Sequence, residues 1–384
     1  MPSRSRATTN VALSGLIAAT VALSGCGSDQ SAHPPIGEPI ALTYDGGIYV
    51  LDGTSLEQRG EVRLDGFNRL NPVGDGQHLM VSTKDRFRVF DAAHAEFTDI
   101  AFPAAEPGHV VRHAGRTVLF ADGTGEVTVF DPAQLNGGKP RTEMYRSAAP
   151  HHGVAIELAN GQLVVTLGTE EKRVGIAVLD RDRKEITRNE DCAGAHGEAT
   201  AKDEAVVIGC QNGALVYRNG VITKVTSPTP YGRIGNQSGS EASPIVLGDY
   251  KQDPDAELER PQQVSLIDTT TGTLRLVVIG TSYTFRSLAR GPQGEALILG
   301  TDGRIHVIDP VAGSVTRTIQ VTDPWQEPLQ WQQPRPALFA RGAIAYVSDP
   351  ATKKVLRVDL TTDAVTATTT LPSAPNEISG IVDH

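Results

Sequence analysis

The chain has 384 residues, and 39% of them are hydrophobic, which is enough for a packed core and excludes a wholly disordered protein. Its formal net charge of −10 argues against nucleic acid as a partner, because phosphate backbones select basic surfaces. Aromatic residues are sparse, whereas Gly (39) and Pro (24) are plentiful. This composition favours many short strands joined by tight turns.

The N-terminal residues have the pattern of an export signal. Two arginines precede an apolar run that is too short for a confident membrane span. The run ends in "LSGC" (23–26), which resembles the lipobox of bacterial lipoproteins, whose Cys becomes the lipidated first residue of the mature chain. We therefore predict a lipoprotein signal peptide over 1–25 and lipidation at Cys26. Its removal leaves a formal charge of 33 − 45 = −12, because the segment holds two Arg and no acids.

Residues 26–38 are polar and rich in Pro and Gly, and we expect them to form a flexible tether. The folded domain then covers 39–384. An exported chain meets an oxidising compartment, so Cys192 and Cys210 are expected to form a disulfide. The less favoured alternative is that both thiolates bind a metal ion.

A short apolar strand that ends in Asp recurs along this domain. Seven copies are found, and they end at Asp52, Asp91, Asp131, Asp180, Asp268, Asp309 and Asp359. The gap 268 − 180 = 88 is twice the usual spacing, and "GALVYRNG" (213–220) fills it as a degenerate copy with Arg218 in the Asp position. The chain therefore contains eight copies of one unit.

Each copy follows another strand and a tight turn, and a further strand follows most copies. Four strands in about 44 residues are typical of a β-propeller blade, whereas solenoid coils are shorter and sandwiches do not repeat one hairpin eight times. We predict an all-β fold, a single propeller of eight four-stranded blades, with seven blades as the alternative. The first unit lacks an opening strand, so the C-terminal strand in "NEISGIVDH" (376–384) is expected to complete blade one and close the ring.

The opening strands of a propeller line its central channel, so equivalent positions of neighbouring blades lie close together. "GHVV", "HHGVA" and "AHGEA" place His109, His152 and His196 at the start of three consecutive opening strands, with spacings of 152 − 109 = 43 and 196 − 152 = 44. Three neutral imidazoles suit Zn²⁺ or another borderline ion, with a fourth position for a carboxylate or water. Additional candidate ligands are Glu198, two residues after His196 on the same strand face, His113 and His151.

Other interpretations stay open at this point. The histidines could make structural hydrogen bonds, although the other five blades lack a histidine at this position.

The sequence contains no His-Glu-x-x-His, no phosphate-binding Gly-x-x-x-x-Gly-Lys and no Gly-x-Ser-x-Gly motif, so the common signatures of a metalloprotease, nucleotide-binding protein or serine hydrolase are absent. A scaffold that binds a protein or cell-wall ligand, or a propeller enzyme such as a metal-dependent lactonase, would also fit the fold.

An exported propeller with "PHHGVAIEL" and "CAGAHGEA" followed by "IGC" resembles the AztD-type zinc metallochaperones. The resemblance covers about residues 38–384. It implies a protein without catalytic activity that holds Zn²⁺ outside the cytoplasm and passes it to the substrate-binding protein of a zinc ABC importer. It supports His109, His152 and His196 as ligands. Together with the lipobox, it implies a protein anchored by lipid to the outer face of the cell membrane or located in the periplasm. We expect a monomer.

Overall fold

The structure is a computed structural model that describes residues 1–3 and 34–382. Most of the predicted signal peptide, the lipidation site Cys26 and most of the tether lie outside these residues. The compact unit that contains all the described strands and helices begins at Pro35. None of the described helices is long and apolar enough to cross a membrane.

Eight antiparallel sheets of four strands make up this unit, and the predicted all-β fold with eight propeller blades is confirmed. In blades 2 to 8 the strands pair in chain order, so each of these blades is a simple meander, whereas blade 1 takes its innermost strand from the C-terminus. The opening strands of most neighbouring blades contact one another, for example β8 with β12 and β16 with β20. They therefore line the central channel, as the repeat predicted.

The first four blades hold the following strands in order from the channel outward. Blade 1 comprises β32 (Ile378–Gly380), β1 (Ile40–Tyr44), β2 (Gly46–Leu51) and β3 (Gln58–Leu64). Blade 2 comprises β4 (Arg69–Pro72), β5 (His78–Ser82), β6 (Arg86–Asp91) and β7 (Glu96–Pro103). Blade 3 comprises β8 (Pro107–His113), β9 (Arg116–Ala121), β10 (Glu126–Phe130) and β11 (Thr142–Arg146). Blade 4 comprises β12 (Ala155–Glu157), β13 (Leu163–Gly168), β14 (Arg173–Leu179) and β15 (Glu185–Asn189).

The other four blades follow the same order. Blade 5 comprises β16 (His196–Ala201), β17 (Ala205–Cys210), β18 (Gly213–Arg218) and β19 (Val221–Thr226). Blade 6 comprises β20 (Gln237–Ser238), β21 (Ile245–Gly248), β22 (Gln263–Asp268) and β23 (Thr273–Val278). Blade 7 comprises β24 (Leu288–Arg290), β25 (Ala296–Leu299), β26 (Arg304–Asp309) and β27 (Ser314–Gln320). Blade 8 comprises β28 (Ala337–Arg341), β29 (Ile344–Asp349), β30 (Lys354–Asp359) and β31 (Ala364–Thr370). Two short 3₁₀ helices lie at Pro132–Gly137 and Lys202–Glu204.

The C-terminal strand closes the ring. Strand β32 pairs antiparallel with β1, and Ile40 lies opposite Gly380. This pairing removes the open sheet edge that blade 1 would otherwise present. The predicted closure by the last strand is therefore confirmed.

The recurring Asp has a local structural role at the end of the third strand of a blade. The Asp52 carboxylate accepts hydrogen bonds from the backbone N–H groups of Thr54 and Ser55. Asp309 accepts from the N–H groups of Val311 and Ala312 in the same way. These bonds satisfy turn amides that have no strand partner, so the residue is repeated for turn formation rather than for chemistry.

Buried aliphatic side chains pack neighbouring blades face to face. One continuous core joins blades 3, 4 and 5 through residues such as Phe120, Ile156, Val178 and Ile208, each at most 2% exposed. Burial of each such side chain contributes about 1.5–3 kcal/mol relative to an exposed position. The three blades that carry the candidate histidines are therefore held rigidly against one another.

Candidate metal centre

The three histidines at the starts of blades 3, 4 and 5 come together at the channel. One ring nitrogen from each of His109, His152 and His196 lies within 4.8 Å of the others. The Nε2 atoms of His152 and His196 are 3.1 Å apart. The ring centroids of His109 lie 5.2 Å and 5.6 Å from those of the other two. We call these three residues the His cluster.

Each member of the His cluster is placed by the opening of its blade. His196 is the first residue of β16, and His109 lies in β8, where the pairing with β9 shifts register between Pro107 and Val110. Such a bulge turns a side chain away from strict alternation. His152 precedes β12 and belongs to the loop that leads into it. Two members therefore lie on strands and the third on a loop.

Hydrogen bonds at Nδ1 turn two of the rings toward the shared space. Nδ1 of His152 donates to Oδ2 of Asp122 at 2.5 Å, and Nδ1 of His196 donates to the Gly235 carbonyl at 2.5 Å. Both partners are hydrogen-bond acceptors, so the proton of each neutral ring lies on Nδ1. The lone pair on Nε2 is then available to a metal ion. Metal-binding histidines are commonly fixed by this kind of partner, which sets the tautomer and the ring orientation.

Burial keeps two of the imidazoles neutral. It lowers the pKa of His109 well below its ordinary value, and the charges of His196 and His152 lower it further. Burial, followed by the charge of His152, lowers the pKa of His196 to about 3. Metal ions bind the neutral ring, so these two histidines could bind one without deprotonation at neutral pH.

Glu198 is the carboxylate beside the His cluster. Its Oε2 lies 3.6 Å from Nδ1 of His109. Burial raises the pKa of Glu198 to about 8. A bound cation favours the ionised carboxylate, so this side chain can serve as a fourth ligand or orient the His109 ring.

The donor set fits zinc. Zn–N bonds of about 2.0–2.1 Å in a tetrahedral arrangement place two nitrogens about 3.3 Å apart. The observed 3.1 Å between His152 and His196 is close to that spacing. Three neutral imidazoles with an adjoining carboxylate match the nitrogen and oxygen ligands that zinc takes in proteins.

The other two candidate histidines lie outside the His cluster. Nε2 of His113 lies 2.9 Å from Oε1 of Glu204. Both ring nitrogens of His151 have partners, since Nδ1 donates to the Ala149 carbonyl at 2.9 Å and Nε2 lies 3.1 Å from Oγ1 of Thr166. His151 is buried, and these contacts give it a structural role in the loop before blade 4.

The structure contains the predicted disulfide. Cys192 and Cys210 are bonded, with their Cα atoms 5.0 Å apart, and both are fully buried. Cys192 lies four residues before His196, and Cys210 ends the neighbouring strand β17. The bond therefore fixes the loop that delivers His196 to the His cluster.

Two features of the site could not be found in the sequence. Asp122 lies in the hairpin turn after β9, and turns of this chain contain many Asp residues, so nothing distinguished it. The Gly235 contact uses a backbone carbonyl, which any residue supplies. Both reach a histidine of a different blade, and no local pattern encodes such a contact.

Comparison with known proteins supports the same fold and the same resemblance. No protein-family model matches the chain. It is 24% identical over 286 residues to the zinc chaperone AztD of Citrobacter koseri, an alignment that covers 72% of this chain and 66% of the relative, slightly less than two thirds. The crystal structure of apo AztD from Citrobacter koseri matches with a TM-score of 0.77 and 22% identity, covering 89% of this chain and 97% of the other. The chain resembles AztD in sequence and fold.

The predicted resemblance to AztD-type proteins is therefore confirmed. A more distant structure, the dihydro-heme d1 dehydrogenase NirN, matches with a TM-score of 0.60 and 12% identity. It covers 91% of this chain and 78% of that one. Because this identity is so low, the NirN match shows the propeller fold alone.

Proposed function

We propose that this protein is an extracytoplasmic zinc metallochaperone that holds Zn²⁺ between His109, His152 and His196 and performs no chemistry on it. The observation that carries the proposal is the convergence of three ring nitrogens from consecutive blades within 4.8 Å. The similarity to a protein named a zinc chaperone supports the choice of metal and role.

In this proposal the three imidazoles hold the ion, while Asp122 and the Gly235 carbonyl keep two of the rings in position. The fourth position belongs to Glu198 or to a group from outside the chain. A three-histidine site with an exchangeable fourth ligand can accept a donor atom from another protein before it releases a histidine. Zinc can then pass between proteins without becoming free in solution.

The proposed acceptor is the substrate-binding protein of a zinc ABC importer. The proposed location is the outer face of the cell membrane, reached through lipidation of Cys26, or the periplasm, and the proposed state is a monomer. The Cys192–Cys210 disulfide supports export, because such bonds persist in oxidising compartments.

Zinc titration with metal analysis tests the site. The unmodified protein is expected to bind one zinc ion tightly, and the His109→Ala/His152→Ala/His196→Ala variant is expected to lose it. His94→Ala is the matched control, because the half-exposed His94 ring contacts Asp91 rather than the His cluster. An unchanged zinc stoichiometry in the triple variant would show that the metal site lies elsewhere.

A transfer assay tests the chaperone role. Zinc-loaded protein is mixed with the metal-free substrate-binding protein, and zinc arrival is compared with release into a chelator that does not contact the donor. Direct transfer is expected to be faster than unassisted release, because the acceptor supplies a ligand before His dissociation. Equal rates would indicate a zinc store rather than a chaperone.

A further inference from the structure

Two different spaces adjoin the His cluster, and the first is a pocket at its outer side. It has a volume of about 520 Å³ and is lined by His152, Thr169, Arg173, Glu190, Ala193 and Gln211, among others. These residues belong to the β13–β14 turn and the start of β14, to the β17–β18 turn, and to the loops before the opening strands of blades 4 and 5. All of these segments lie at the end of the propeller where opening strands begin. This space is called the His152 pocket below.

The second space is part of the central channel. It has a volume of about 430 Å³ and is lined by opening-strand residues of blades 2 to 6, including Glu198 and Ser238. In the described part of the chain, none of the three cluster histidines lines it. Glu198 both lines this cavity and approaches His109, so it stands between the cavity and the His cluster.

His152 is the least enclosed member of the His cluster. Its side chain is 45% exposed, compared with 23% for His109. It belongs to a loop, and its ring is held by the side chain of Asp122. His196, in contrast, pairs with Gly209 in the β16–β17 ladder and bonds a backbone carbonyl. The His152 ring can therefore rotate away without disturbing a strand.

We infer that zinc is exchanged through the His152 pocket and that His152 is the first ligand to dissociate, an inference that rests on the proposed zinc site. An incoming donor atom from an acceptor protein reaches the ion from this pocket. His109 and His196 hold the ion meanwhile, and Glu198 closes the channel side. The pocket mouth is then the surface against which the acceptor places its own ligand.

A pair of plugging substitutions tests the route. Ala193→Trp fills the His152 pocket, and Ser238→Trp fills the channel cavity as the matched control. Zinc-loaded full-length protein is mixed with excess chelator, and release is followed by stopped-flow. Ala193→Trp is expected to slow release by about tenfold, and Ser238→Trp is expected to leave it unchanged. Zinc affinity stays the same in both, because a plug slows binding and release alike.

The opposite pattern, slow release only with Ser238→Trp, would overturn the inference in favour of the channel. Unchanged release in both variants would overturn it as well. Gln211→Trp fills the same pocket from another strand turn and replaces Ala193→Trp if that variant does not fold. Failure of the unmodified protein to bind zinc would instead refute the proposed function, so the two failures can be told apart.

Discussion

Replacement of Asp122 by Asn should weaken zinc binding through His152 alone. The carboxylate accepts a hydrogen bond from Nδ1 of His152 through Oδ2 and another from the Gly153 N–H, at 3.3 Å, through Oδ1. Asparagine keeps one acceptor oxygen but loses the charge. If that oxygen faces His152, its NH₂ group opposes the Gly153 N–H, donor against donor.

The expected magnitude follows from the exposure of the two partners. Loss of a residue that orients a metal-binding histidine typically reduces affinity by about 10–100-fold. The Asp122 side chain is 15% exposed, but that of His152 is 45% exposed, so water replaces part of the lost bond. We therefore expect a loss of affinity at the lower end of this range, about tenfold, which corresponds to about 1.4 kcal/mol of binding free energy.

Competitive titration against a zinc chelator of known affinity measures this change. Asp302→Asn is the matched control, because Asp302 forms a similar carboxylate–imidazole contact with His306, at 3.1 Å, in blade 7. The control variant should bind zinc as the unmodified protein does. Equal affinity in Asp122→Asn and the unmodified protein would refute the argument that Asp122 holds the His152 ring in place.

Three further predictions concern stability. Replacement of Cys192 and Cys210 by Ser should lower the unfolding free energy by about 3 kcal/mol, because the disulfide closes a loop of sequence separation 18. Denaturant titration measures this change, and an unchanged midpoint would contradict the prediction. Burial alone would raise the pKa of Asp75, but hydrogen bonds from the His78 side chain and from backbone amides lower it below its ordinary value. The stabilising contribution of the ionised Asp75 is therefore present above the unfolded-state pKa of about 3.9 and lost as the pH falls through the folded-state value. Asp75→Asn should flatten the decline in unfolding free energy below about pH 4. Parallel pH profiles of the variant and the unmodified protein would count against this. Deletion of residues 377–384 removes β32 and leaves Arg286 buried without the Glu377 carboxylate, which lies 2.6 Å away. The free energy of unfolding, measured by thermal unfolding, should fall by about 3–5 kcal/mol or more. An unaltered transition would argue against ring closure by β32.

The repeat in the sequence was sufficient to predict the architecture. Strand-turn-strand units with a terminal Asp recur at near-constant spacing, and each unit is stabilised by local pairing and turn hydrogen bonds. Local interactions of this kind are visible in a single sequence. The blade count, closure by the last strand and the common depth of His109, His152 and His196 all follow from the same period.

Contacts between blades required the tertiary structure. Glu198 was expected on the same strand face as His196, but the β16–β17 pairing shifts register between His196 and Ala199, and Gly197 adopts a φ of 67°. This bulge breaks the strict alternation on which the expectation rested, and the Glu198 carboxylate approaches His109 of blade 3 instead.

The hydrogen-bond partners of the His cluster rings also depend on the tertiary structure. His152 and Asp122 are 30 residues apart, and His196 and Gly235 are 39 apart. The twist of each blade and the path of its loops bring them together. A period in the sequence states which positions are equivalent, but bulges and loop conformations determine where each side chain points, because they depend on packing against the next blade.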